Sequence, residues 1–245
     1  MIIDPGVLDL SQLPDLIDKV EFKGTVVDGD VAAVEAMLAR HGVASQDGEV
    51  YFYDTKKLAL FDQAVLLRAR VLGGDAESTV KLRPAATAVA AAARAGNDKV
   101  KVELDIAGEK QSLSAKLDKK RGPGEIEAAA ATPGTVPALF SDKQRNLLAL
   151  HAPGAPALDV LRVLGPVVAR KWELPATGAF PYELAVEKWA LDGATQFIEL
   201  SIKVDRDQAA KARMDFLRLL DDQQLHVTNE QKTPQVLRFF ADRLA

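Results

Sequence analysis

The feature that most constrains this chain is a period-two alternation in which charge fills one of two faces. Successive side chains of an extended strand point to opposite sides. Lys19, Glu21, Lys23 and Thr25 thereby share a face, against Val20, Phe22 and Val26. Arg68 and Arg70 stand opposite Leu67, Ala69 and Val71, and Thr79, Lys81 and Arg83 stand opposite Val80 and Leu82. Lys99, Lys101, Glu103 and Asp105 oppose Val100, Val102, Leu104 and Ile106. Glu183 and Glu187 oppose Leu184 and Val186, while Glu199, Ser201 and Lys203 oppose Ile198, Leu200 and Ile202. Strand by strand, a half-exposed sheet with its charged side in water gives the same pattern. Two features favour closure. The charged faces are dense in Arg, Lys and Glu, where solvent faces carry many Thr, Ser and Gln. The helices of the chain also need an apolar surface to cover. If they cover the aliphatic faces, closing the sheet puts the charges inside a barrel.

The remaining elements follow from punctuation and period. Asp30 is placed to cap a helix through VAAVEAMLAR that stops near Gly42. Helices are also expected over 85–95, in SDKQRNLLAL, over 206–221 and over 234–244. Gly73-Gly74-Asp75 and Asp192-Gly193 read as hairpin turns. Residues 1–17 read as an irregular arm. The stretch 107–160 matches no clear pattern at first and is expected to be an insertion or helical elaboration. There is no internal repeat, so 1–245 is treated as one domain.

Totals narrow the function classes. At 245 residues and 48% hydrophobic the chain can bury a sizeable core, and with 6% aromatics that core is mostly aliphatic. The net charge of -4, from 31 basic and 35 acidic residues, gives no global basic field. That argues against duplex nucleic acid as a partner while leaving room for a local basic tunnel. The absence of Cys excludes disulfides, thiolate zinc sites and cysteine nucleophiles. His41, His151 and His226 form no ligand-like pair. The N-terminus carries acids where a signal peptide needs bases, and no run approaches the ~20 apolar residues of a membrane span. A cytoplasmic protein without a membrane partner is expected.

A charged interior needs occupants. Burying an isolated ion costs several kcal/mol even after relaxation. Mixed Lys/Arg and Glu/Asp offset one another in part, and a polyanion with a metal would complete the site. The planar fork of Arg bonds phosphate oxygens bidentately. Carboxylates suit Mg²⁺ or Mn²⁺, which often sit between protein and phosphate. The combination reads as a metal–triphosphate site.

At this point the order of the motifs carries a resemblance. Lys19-Val-Glu21-Phe-Lys23 resembles the Glu-x-Glu-x-Lys signature of the CYTH, or triphosphate tunnel metalloenzyme, superfamily. YFYDTKKLALFDQAVLLRARV resembles its Tyr-Phe-Asp-Thr…Leu-Arg-x-Arg block, and STVKLRP its following Lys-x-Arg strand. ARKWEL, ELAVEKWALDG and FIELSIK fall where a later Arg strand and a Glu-bearing hairpin belong. The likeness runs from about residue 19 to 205, with 107–160 matching poorly. It implies an α+β fold: an eight-stranded antiparallel closed barrel with a charged interior and helices packed outside. It also implies Mg²⁺ or Mn²⁺ as cofactor and a small triphosphate or nucleotide as ligand. By position, Glu21, Glu103, Asp105 and Glu199 match metal-side carboxylates, with Glu183 and Glu187 as nearby candidates. Lys23, Arg68, Arg70, Lys81, Arg83 and Arg170 match phosphate-binding residues, and Glu21 and Lys23 the catalytic pair.

The chain departs from the signature twice. Lys19 stands where the first Glu belongs, and the last-strand Glu-x-Glu is reduced to Glu199-x-Ser201. Each change removes a carboxylate and weakens the pull on a metal. The expected activity is divalent-metal-dependent hydrolysis of an inorganic, nucleoside or thiamine triphosphate. The alternatives are an adenylate cyclase of the CYTH type and a non-catalytic binder of polyphosphate or nucleotide. Lys232 reads as an exposed loop lysine that could otherwise close one tunnel end. Trp172 and Trp189 read as packing residues that could otherwise stack on a base.

Overall fold

The computed structural model describes residues 9–132, 134–230 and 232–244. The first eight residues of the expected N-terminal arm lie outside that range. The chain opens with β1 (Lys19–Val26), α1 (Val31–His41) and β2 (Gln46–Asp54). The hairpin β3 (Val65–Leu72) and β4 (Asp75–Leu82) follows, then α2 (Thr87–Gly96). A second hairpin pairs β5 (Lys101–Ala107) with β6 (Lys110–Lys120), and α3 (Glu125–Ala131) and α4 (Asp142–His151) come next. The chain then runs through β7 (Arg162–Leu174), β8 (Leu184–Ala190), β9 (Gln196–Asp205) and α5 (Ala209–Asp222). It ends with the short β10 (Val227–Thr228) and α6 (Lys232–Ala241).

Among the described residues, nine strands close into a barrel in the order β1-β5-β6-β4-β3-β2-β7-β8-β9, with β9 returning to β1. This corrects the expected eight antiparallel strands. All eight strands read from the sequence are present, and the ninth is β6, within the stretch 107–160. The count has a topological consequence. A closed ring with an odd number of strands cannot alternate direction throughout, so at least one pair must be parallel. That pair is β1 and β5, with Glu21 opposite Asp105. The rest of the stretch folds as α3, α4 and short turns on the barrel's outside.

The aliphatic faces behave as the alternation requires. Val20, Phe22, Leu67, Val80, Leu104 and Leu200 are buried in the main core, which lies between the barrel wall and the outer helices. Each such side chain contributes about 1.5–3 kcal/mol by leaving water. α5 presents Ala209, Ala212, Phe216 and Leu220 at helical spacing and packs them on β9 and β1. α4 is held by a capping box between Ser141 and Gln144. The buried Gln144 amide also donates to the carbonyls of Ser78 and Leu117, fastening α4 to β4 and β6. Asp54, from the Tyr-Phe-Asp-Thr block, accepts from the backbone N–H groups of Leu60 and Phe61 at 2.9 Å each. It organises the turn before β3 and does not face the lumen.

One helix breaks the expected arrangement. α6 packs Val236, Leu237 and Ala241 against Val50, Phe52, Leu164, Val167, Ala169 and Trp189, a second apolar cluster on the lumen side of β2, β7 and β8. Residues 227–230 lead toward it across the barrel, with β10 pairing on β1 at Thr25 and Val26. Gly24 permits that crossing, because a Cβ there would lie 2.6 Å from Val227. No helix among the described residues is long and apolar enough to cross a membrane.

Candidate functional site

The lumen holds a cavity of about 290 Å³, at the low end of small-molecule sites. Eight basic and five acidic side chains line it, so its wall is net positive within an acidic protein. Strand alternation puts them there. Glu21 and Lys23 come from β1, Arg68 and Arg70 from β3, Lys81 and Arg83 from β4 and its exit, and Glu199 and Lys203 from β9.

The charges are sorted into ion pairs. Asp105, 1% exposed, receives Lys23 at 3.5 Å, Lys81 at 3.3 Å and Arg83 at 3.1 Å on Oδ2. Its Oδ1 is buried without a hydrogen-bond partner. Lys23 also reaches Glu21 at 3.2 Å. On the facing strands Arg70 lies 2.9 Å and Arg68 3.6 Å from Glu77. Glu103 sits between Lys116 at 3.2 Å and Lys203 at 3.3 Å. Arg68, Arg70, Lys81 and Arg83 thus face the cavity with fewer carboxylates than cations between them.

These neighbours set the proton affinities. Burial opposes the charge on Lys23, but Asp105, Glu21 and Glu199 outweigh it and hold its pKa above the usual lysine range. Lys81 goes the other way. Burial, reinforced by Arg83 and Lys23 against the pull of Asp105, lowers it to about 8. Burial would raise Asp105, yet Lys23, Lys81 and Arg83 keep it well below the usual carboxylate range. Burial would likewise raise Glu187, but Lys232, Arg70 and Arg68 bring it down to about 2.

Most expected phosphate-binding residues meet here: Lys23, Arg68, Arg70, Lys81 and Arg83 all line the cavity. Arg170 does not and is corrected. Along β7, Ala169 and Lys171 face the lumen, so Arg170 faces outward. Its guanidinium makes two 3.0 Å hydrogen bonds to Asp47 and stands 6.0 Å from the ring of Trp172, in an outer groove with α1. Lys171 is the basic residue that β7 supplies to the lumen. Lys19 sits at the rim, paired with Asp205 at 2.7 Å.

Of the carboxylates expected at a metal, Glu21 and Glu199 line the cavity, whereas Glu103 and Asp105 lie in the wall behind lysines and Arg83. Among the described residues, no three Asp, Glu or His side chains converge to hold an ion. The donors are divided among ammonium partners, and this arrangement does not form a ready divalent-metal site.

Lys232, expected as an exposed loop lysine ahead of one that closes a tunnel end, is corrected. It is buried, the first residue of α6, and its Nζ lies 2.7 Å from Glu187 and 2.9 Å from Glu199. The ammonium also stands 4.1 Å from the centroid of Trp189, which packs in the lumen against Phe52. No local signal distinguishes Lys232 from a surface lysine, since its burial comes from where α6 docks. Lys203 carried a signal, its place on the charged face of β9, that would have identified it.

No protein-family model matches the sequence, and no curated protein matches it. Solved structures do. A candidate adenylate cyclase from Bacillus halodurans superposes with a TM-score of 0.63 at 14% identity, covering 91% of this chain and 97% of that one. The candidate adenylyl cyclase HpAC1 from Hippeastrum, described as having a dominant triphosphatase activity, superposes with a TM-score of 0.64 at 13% identity, covering 91% and 96%. This chain has the closed-barrel tunnel fold of those two proteins.

Proposed function

We propose that this protein binds the phosphate chain of a small triphosphate in the barrel lumen. The reading is carried by one observation: two clusters of cations, Lys23, Lys81 and Arg83 around Asp105 and Arg68 with Arg70 around Glu77, face one compact cavity. Guanidinium and ammonium groups with too few carboxylates between them are matched by a chain of phosphate oxygens. The volume suits a compact polyanion. The likeness to two adenylate-cyclase-like structures, and the ordered CYTH-type motifs, support the same ligand class.

Hydrolysis of that triphosphate with Mg²⁺ or Mn²⁺ is the second reading, favoured by Glu21 standing in the cavity beside Lys23. Phosphate release from tripolyphosphate, ATP and thiamine triphosphate, each with Mg²⁺, Mn²⁺ or a chelator, separates the two. Metal-dependent release would establish the hydrolase. Saturable calorimetric binding without release would establish the binder. Absence of both would remove the triphosphate reading.

A further inference from the structure

Three of the five carboxylates that line the lumen, Glu21, Glu187 and Glu199, already hold cations. Glu187 and Glu199 share one ammonium, that of Lys232, at 2.7 and 2.9 Å. Glu21 and Asp105, opposite one another on the parallel pair β1 and β5, share a second, that of Lys23, at 3.2 and 3.5 Å. Glu103 takes a third from Lys203 at 3.3 Å. Lys232 and Lys23 are the more enclosed, with side chains 8% and 13% exposed against 40% for Lys203. Lys232 is anchored by α6 and by the face of Trp189. Lys23 and Lys203 stand on β1 and β9, with Lys203 paired in register to Glu21. A divalent ion taking Glu21 or Glu199 as a ligand would have to compete with Lys23 or Lys232 for that carboxylate, leaving Lys23 to Asp105 and Lys232 to Glu187. Mg²⁺ beside a phosphate chain is held by one or two free carboxylates, whereas Glu21, Glu187 and Glu199 are each engaged by an ammonium.

From this we infer that the tunnel takes its polyphosphate as the free anion, Lys23, Lys203 and Lys232 holding the positions that a divalent ion would need. The inference rests on the triphosphate reading and adds the ionic form of the ligand. The reason is charge matching: a phosphate chain complexed with Mg²⁺ offers fewer negative charges to the same cations.

Two measurements on the intact protein test it. The first is calorimetric titration with tripolyphosphate in chelator and again in excess Mg²⁺. Binding in chelator that weakens roughly tenfold or more with Mg²⁺, the scale of one charge-assisted hydrogen bond, is expected. Binding that requires or is strengthened by Mg²⁺ overturns the inference and leaves the tunnel reading standing. Absence of binding in both media overturns the tunnel reading, and the inference with it. The second is the Mn²⁺ electron paramagnetic resonance signal with protein alone. The wild type is expected to leave the free-ion amplitude unchanged, whereas Lys232→Met, which strips Glu187 and Glu199 of their ammonium, is expected to reduce it. Loss of the signal with wild-type protein overturns the inference whether or not the variant folds.

Discussion

The lumen has two walls built by the same alternation and used in opposite ways. On β2 and β7 the inward residues are Val50, Phe52, Leu164, Val167 and Ala169, and α6 covers them. On β1, β3, β4, β5 and β9 most inward residues are Lys, Arg, Glu and Asp, with Thr25, Thr79 and Ser201 among them, and a cavity remains. The apolar wall is complete in the protein alone, because α6 supplies its partner. The charged wall lines a cavity that holds more basic than acidic side chains. Period two therefore determines which residues face inward, but their chemistry determines whether the space is filled by protein or left for a ligand.

The sharpest way to break this comparison is to remove the carboxylate at the centre of the charged wall. Asp105→Asn leaves Lys23, Lys81 and Arg83 facing one another and should lower stability by about 3–5 kcal/mol in urea unfolding. Tripolyphosphate should restore part of that loss, since it binds only the folded state. Leu164→Ala, on the apolar wall, should lower stability by about 2–5 kcal/mol with no such rescue beyond the wild-type ligand effect. Equal ligand rescue in the two variants would dissolve the distinction between the walls.

Charge within the cavity can be tuned without touching the core. Lys81 holds its proton below a pKa of about 8 and loses it above. Triphosphate affinity should therefore fall as pH rises through 8, and the step should be missing in Lys81→Met, as read by calorimetry across that range. Without ligand the sign reverses. The unfolded chain keeps this proton up to about 10.5 while the folded chain releases it near 8, so Lys81 makes stability rise with pH between those values. The smallest effect belongs outside the barrel. Arg170→Ala should leave triphosphate affinity unchanged, and any loss greater than about twofold would return Arg170 to the lumen.

β1, β3, β4, β5, β8 and β9 were legible because each carries a charged face against an aliphatic one, and Glu21, Lys23, Arg68, Arg70, Lys81 and Arg83 lie on those charged faces. β6 was not, because Ser112, Ser114 and Ala115 blur the contrast between its faces. Arg170 was misplaced by one position. It was placed by the likeness of ARKWEL to a later Arg strand, whereas alternation along β7 sets Lys171 with Ala169 on the lumen face. Lys232 was hidden for a different reason. Its partners Glu187 and Glu199 are far away in the chain, and only the docking of α6 brings them together.

The most direct test of the central claim is calorimetric titration of tripolyphosphate into the wild type and into Arg68→Ala. Saturable binding that weakens roughly 10–100-fold in the variant, the scale of a lost charge-assisted hydrogen bond, is the result expected if the charged wall is a triphosphate site. Wild-type binding that survives Arg68→Ala unchanged, or no binding at all, would contradict it.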